Sequence, residues 1–168
     1  TGAACWMIPT SKLRVTKLRL EGIMEALLLR RCGAHTAFCR MEAGWACGDT
    51  RGIRRQYQFY KVEMVRFASA ETSHDELEKL VSHAEAILQK LELHYRVSLL
   101  CTGDISANAA KCYDLEVWLP GQGAYREISS CSNFEDFQAR RAKIRYRKEP
   151  KGKPKVPHTP NGSGIAGG

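Results

Sequence analysis

The stretch "CYDLEVWLPGQGAYREISSCSN", residues 112–133, decides the reading of the fold. Its first part interleaves apolar and charged residues and is rich in aromatic and β-branched side chains, the pattern of a half-buried strand. "PGQG", residues 120–123, supplies turn residues. A second strand follows at once, and so short a connection favours an antiparallel hairpin. The returning strand, "YREISSCSN", is oddly polar. It carries a carboxylate, then a run of hydroxyls and a thiol, and only Ile128 is strongly apolar between Glu127 and Asn133. Such a strand either faces water or lines a polar site.

Two further strands lie outside the hairpin, at "YRVSLLC" (residues 95–101) and "QYQFYKVEMVRFA" (residues 56–68). Between them the spacing predicts a helix over residues 73–91, with Leu77, Leu80, Val81, Ala84, Leu88 and Leu91 on one stripe. Ser73 and Glu76 fit a capping box, and Asp75, Glu76 and Glu78 suit the positive end of the helix. This helix reads as scaffold. There is no internal repeat. The expected class is α+β, a mainly antiparallel sheet flanked by helices.

With 168 residues, 43% of them hydrophobic, the chain can bury a real core and is not of disordered composition. No apolar run approaches the roughly 20 residues that cross a bilayer. The opening "TGAACWMIPT" lacks the features of a signal peptide. Its start at Thr1 and its glycine-rich end suggest a piece of something longer. A net charge of +8 and a pI of about 9.2 favour a polyanion partner, although a basic, partnerless surface would give the same numbers. The seven cysteines are odd in number, widely spaced and without a C-x-x-C pair. That argues against a disulfide framework and a zinc site, and for small buried residues in a reducing cytosol. The region from residue 140 to 155 holds nine Lys or Arg against the single acid Glu149. Part of it, residues 145–157, reads as a solvated basic loop, with phosphate or RNA contact a nonspecific alternative. Taken alone, these residues indicate a nucleotide- or RNA-binding α+β domain.

Longer motifs say more. "RMEAGWACGDTRGIRRQYQF", residues 40–59, resembles motif 2 of class II aminoacyl-tRNA synthetases. "LLCTGD", "AAKCYDLEVWLPGQGAYREISSCSN", "DFQARRAKIRYR" and "HTPNGSG" are similar to the catalytic domain of bacterial-type seryl-tRNA synthetase, and the likeness runs from "MIPT" to the C-terminus. The resemblance implies an antiparallel sheet flanked by helices, and one partial catalytic domain over residues 1–168. Motif 2 would occupy residues 38–63 and the start of motif 3 residues 158–168. The implied partners are L-serine, ATP with Mg2+, and serine tRNA. The serine carboxylate would attack the α-phosphate of ATP, release pyrophosphate, and pass as seryl-adenylate to the tRNA. The resemblance also implies a cytoplasmic protein, with an organellar location as the alternative, and no membrane contact. The family is homodimeric, but motif 1, which builds that interface, has no counterpart here, nor has the N-terminal coiled-coil arm that grips serine tRNA.

Residue by residue, the resemblance gives Arg40 the catalytic role of bridging the α-phosphate and the serine carboxylate, which suits a planar fork. Glu42 would receive the adenine amino group, Arg55 would lie near the outer phosphates and Phe59 would stack on adenine. Thr10, Glu63, Asn161 and Ser163 would surround the serine. Glu127 and Ser130 would hold magnesium, which explains the polar strand. A regular strand, however, puts residues three apart on opposite faces. Sharing one ion therefore requires a twist or a bulge between them. The chain also departs from the family pattern. Lys12 stands where a glutamate is usual, Cys39 replaces an aromatic, Tyr57 a histidine, and Pro160 is expected to interrupt the motif 3 strand. The chain stops short of the motif 3 arginine. Two other readings follow: a non-catalytic synthetase-like protein that binds ATP or RNA, and a plain basic RNA-binding module.

Overall fold

A computed structural model describes residues 8–25, 30–39 and 56–167. Six strands form one wholly antiparallel sheet: β2 (Arg30–Cys39), β3 (Gln58–Phe67), β4 (Tyr95–Leu99), β5 (Lys111–Leu119), β6 (Ala124–Asn133) and β8 (Pro160–Gly167). Their spatial order is β2-β3-β8-β6-β5-β4. A parallel pair, β1 (Ile23–Glu25) and β7 (Arg145–Arg147), lies apart from it. The helices are α1 (Ser11–Lys17), α2 (Ser73–Lys90) and α3 (Phe137–Arg141). The α+β class and the hairpin β5–β6 stand as the sequence indicates. Its turn closes at Gly123, whose φ of +60° suits a residue without a Cβ.

Each face of the sheet has its own core. On one, α2 presses Leu77, Leu80, Val81, Ala84 and Leu88 onto Leu115, Val117 and Cys131. A fully buried leucine such as Leu80 contributes about 1.5–3 kcal/mol. The stripe stops one residue early, because Leu91 is the C-cap and is 55% exposed. On the other face Val15, Met24, Val65, Phe67, Ala139, Ile144 and Tyr146 cluster. Strand β3 serves both cores: Glu63, Val65 and Phe67 point to the second, while Met64 packs against the first.

Four expectations need correction. The capping box does not form: Thr72 is the N-cap, Ser73 Oγ donates to the Ala70 carbonyl, and Glu76 turns inward. Glu76 accepts from Arg66 Nη1 at 2.7 Å, with the two side chains 3% and 2% exposed. A buried guanidinium needs a counter-charge more than a helix end needs a cap. Pro160 does not interrupt β8 but opens it, opposite Asn133, the one strand position where no preceding ladder bond is lost. The basic loop contains strand β7, held further by a bridge between Tyr146 and Lys155. The described cysteines are free, but only Cys112 and Cys131 are buried; Cys32 and Cys39 are half-buried and Cys101 is exposed.

Candidate active site

The face opposite α2 gathers the polar residues. Strand β5 places Asp114 and Glu116 two apart, hence on one side. Opposite them on β6 the pairing is Asp114 with Ser130, then Leu115 with Ser129, and then Glu116 with Glu127. Ile128 is left over. It is the extra residue of a β-bulge and is 39% exposed. This one insertion puts Glu127 and Ser130 on the same face, which an unbulged hairpin would not do. The only strongly apolar residue of the polar strand is thus the one that the ladder ejects.

Glu127 is reachable by solvent yet crowded. Its carboxyl is pushed above the ordinary range, first by desolvation and then by Asp114 and Glu116, with Lys61 acting in the other direction. Glu116 is held below that range, chiefly by Arg96, whose Nε lies 2.5 Å away, and by Ser98. Next to this group, Ser130 Oγ and Cys112 Sγ are 3.3 Å apart, and Ser132 Oγ donates to the same sulfur at 3.1 Å. Cys131 points the other way, into the α2 core, where burial pushes its thiol up to about 12.

Two strands along, Glu63 of β3 lies opposite Ser163 of β8. A second bulge, at Gly164, falls beside this pair. The Glu63 carboxylate is 1% exposed and its two oxygens differ. Thr10 Oγ1 donates to Oε1, and Lys61 Nζ approaches the same oxygen at 3.0 Å. Oε2 is buried without a hydrogen-bond partner among the described residues. Thr10 reaches Glu63 because the segment before α1 is tied to β2: Cys39 N–H donates to the Ile8 carbonyl and Ser11 Oγ to that of Ala34. Asn161 is buried, with its amide group donating to Gln138 Oε1 at 2.8 Å and to the Thr159 carbonyl at 3.1 Å. Phe59 is half-buried and meets Phe38 at 5.1 Å between ring centroids.

The sheet thus brings Glu63, Ser163, Asn161, Ser130 and Glu127 onto one face, with Thr10 reaching in from above. Arg40, Glu42 and Arg55 lie outside the described residues. Lys12 is the second residue of α1 and is half-buried. Lys61, Asp114 and Glu116 were missed in the sequence. The charged alternation in "YDLEVW" was the available signal: once the hairpin is accepted, those acids must lie across from Glu127 and Ser130. Chemically, the face offers a buried carboxylate oxygen able to accept from a cationic donor, and a set of hard oxygens.

Residues 3–167 match the family described as tRNA synthetase class II core domain (G, H, P, S and T). The chain belongs to that family. Within this class II core family, the chain is 59% identical over 169 residues to a serine–tRNA ligase of Heliobacterium modesticaldum, covering 99% of this chain and 40% of that protein. Among solved structures, it is similar to seryl-tRNA synthetase from Pyrococcus horikoshii complexed with ATP, with a TM-score of 0.89, 42% identity, and coverage of 95% of this chain and 36% of that one. It is also similar to the cytoplasmic serine–tRNA ligase of Naegleria fowleri in complex with AMP, with a TM-score of 0.87, 32% identity, and coverage of 99% and 41%. The class II core described here therefore spans about 40% of the length of the curated relative that it matches. Among the described residues, no helix is long and apolar enough to cross a membrane.

Proposed function

We propose that this class II core activates L-serine with ATP and serves transfer of the seryl group to serine tRNA, as the catalytic region of a cytoplasmic serine–tRNA ligase. The observation that carries this reading is Glu63. Thr10 and Lys61 fix Oε1, and Oε2 is left to accept from a substrate ammonium. An unsatisfied buried carboxylate oxygen costs about 1–3 kcal/mol, and more for a charged group, so a zwitterionic amino acid is a fitting occupant. Asn161 is held by Gln138 and Thr159, and with Ser163 it shapes the wall beside that carboxylate.

In activation, a serine carboxylate oxygen bonds to the α-phosphorus, the bond to the pyrophosphate oxygen breaks, and pyrophosphate leaves with that electron pair. No protein nucleophile is consumed. The work of the chain is positioning and charge neutralisation. Arg40 meets the charge on the α-phosphate, Arg55 the outer phosphates, Glu42 the adenine amino group and Phe59 the adenine face. Mg2+ would be held by Glu127 and Ser130, whose hard oxygens fit it, and would neutralise nucleotide phosphate. Among the described residues no group of three or more His, Cys, Asp or Glu could hold a metal unaided. A magnesium ion held with nucleotide takes one or two carboxylates and completes its shell with phosphate and water.

Lys12, at the place of a family acid, favours a second reading in which ATP is bound but not turned over. ATP–pyrophosphate exchange, run with each of the common amino acids, separates the two. Serine-dependent exchange supports the ligase. ATP binding with no exchange for any amino acid supports the second reading.

A further inference from the structure

The far end of β3 carries a second concave site, away from Glu63. A cleft between the start of α2 and strand β7 is lined by Ser69, Glu71, Thr72, Arg147, Lys148 and Lys155. Ser69 follows Glu63 by six positions along an extended strand, a separation of about 20 Å. None of the substrate residues named above lies in this cleft.

Its electrostatics are lopsided. Arg147, Lys148 and Lys155 face the single carboxylate of Glu71, which is held below its ordinary range first by the Ser69 hydroxyl and also by Lys155 and Lys148. Neither lysine comes within ion-pair distance of an acid among the described residues, and both are exposed. Arg147 Nε is buried and has no acceptor among the described residues. Along the rim, Lys151, Lys153 and Lys155 are exposed while Gly152, Pro154 and Val156, which alternate with them, are half-buried. The segment therefore lays its uncharged residues on the domain and holds its lysines out. Surface lysines are often merely solvated. Here they border a cleft that is also lined by Arg147 and by the Ser69 and Thr72 hydroxyls at the start of an 18-residue helix.

We propose that this cleft and its lysine rim bind the phosphodiester backbone of RNA, outside the substrate face and without reading sequence. The choice of RNA as the polyanion rests on the synthetase reading above; the cation geometry does not. Phosphate oxygens would accept hydrogen bonds from the Arg147 guanidinium and replace the partial screening by Glu71, while Lys148 and Lys155 would release counterions on contact.

The test uses the 168-residue chain and a labelled RNA hairpin, with anisotropy measured across about 50–200 mM salt. The double variant Lys148→Gln/Lys155→Gln is compared with Lys17→Gln/Lys90→Gln, which removes the same charge from exposed sites elsewhere. The cleft variant should flatten the slope of log affinity against log salt by about 1.4–1.8, since each lost phosphate contact removes about 0.7–0.9. The control should change it by less than half as much. Equal flattening in both would reduce the effect to net charge and overturn the proposal. So would displacement of the RNA by inorganic phosphate at the same phosphate concentration, or equally tight binding of a polyglutamate peptide. Serine-dependent exchange is scored separately: its absence with RNA binding intact counts against the ligase reading, and its presence without cleft-dependent RNA binding counts against this one.

Discussion

Replacing Glu63 by glutamine tests the carboxylate proposed to receive the serine ammonium, with little disturbance of shape. The amide keeps an acceptor for Thr10 but loses the charge that attracts Lys61 and a bound ammonium. A hydrogen bond to a charged group contributes about 1.5–3 kcal/mol, so serine affinity should fall about 10- to 150-fold. Folding should hardly respond. The ion pair with Lys61, which is 23% exposed, is worth at most about 1 kcal/mol, and its loss is offset by removal of a buried charge, the amide nitrogen simply replacing Oε2 as the atom without a partner. Titrate serine and ATP separately into both proteins by calorimetry, and follow urea unfolding in parallel. Serine affinity that changes less than twofold in a folded Glu63→Gln protein would rule out Glu63 as the partner of the serine ammonium. So would an equal loss for ATP, because the carboxylate would then not discriminate between the two substrates.

Lys12→Glu should strengthen serine binding and leave ATP affinity nearly unchanged, since only serine brings an ammonium; the same two titrations check it. Glu127 has a raised carboxyl pKa, so the folded protein holds its proton more tightly than the unfolded chain and stability falls as pH rises through that window. Glu127→Gln should therefore be more stable than the parent at pH 8, with the difference in Tm vanishing at pH 4, and should lose magnesium-dependent ATP affinity. Glu76→Ala should cost about 3–5 kcal/mol in urea unfolding, because Arg66 is only 3% exposed and would keep its charge without Glu76. Gly162→Ala would place a Cβ 2.6 Å from Cys131 Sγ and 2.7 Å from the Ser130 carbonyl, which must push β8 off β6. A loss of about 1–3 kcal/mol is expected, together with weaker ATP binding.

Local pattern carried most of the scaffold. Helix α2 was visible because its leucines repeat at helical spacing, and β5–β6 because a four-residue turn leaves one way for the chain to return. What the sequence concealed depends on partners distant in the chain. Glu76 looks like a capping residue until Arg66 arrives from β3, ten positions earlier, and claims it. Ile128 looks like the inward residue of its strand until the ladder ejects it as a bulge. The unequal oxygens of Glu63 follow from Thr10, 53 residues away, and no periodicity reports such a contact. The polar face was anticipated through motif likeness and not through physics, since hydroxyls on a strand signal a site without naming it. Lys61, Asp114 and Glu116 stayed hidden because charged residues on alternating strand positions read first as a solvated face.

The proposed function requires that one face of the sheet, from Glu63 across to Glu127, hold the activated amino acid. A non-hydrolysable seryl-adenylate analogue soaked into crystals of this chain tests it most directly. The analogue's ammonium should lie within hydrogen-bond distance of Glu63 Oε2, its adenine against Phe59, and its phosphate mimic on the Glu127 and Ser130 side. An analogue bound elsewhere, or with Glu63 Oε2 turned away from it, would contradict the claim.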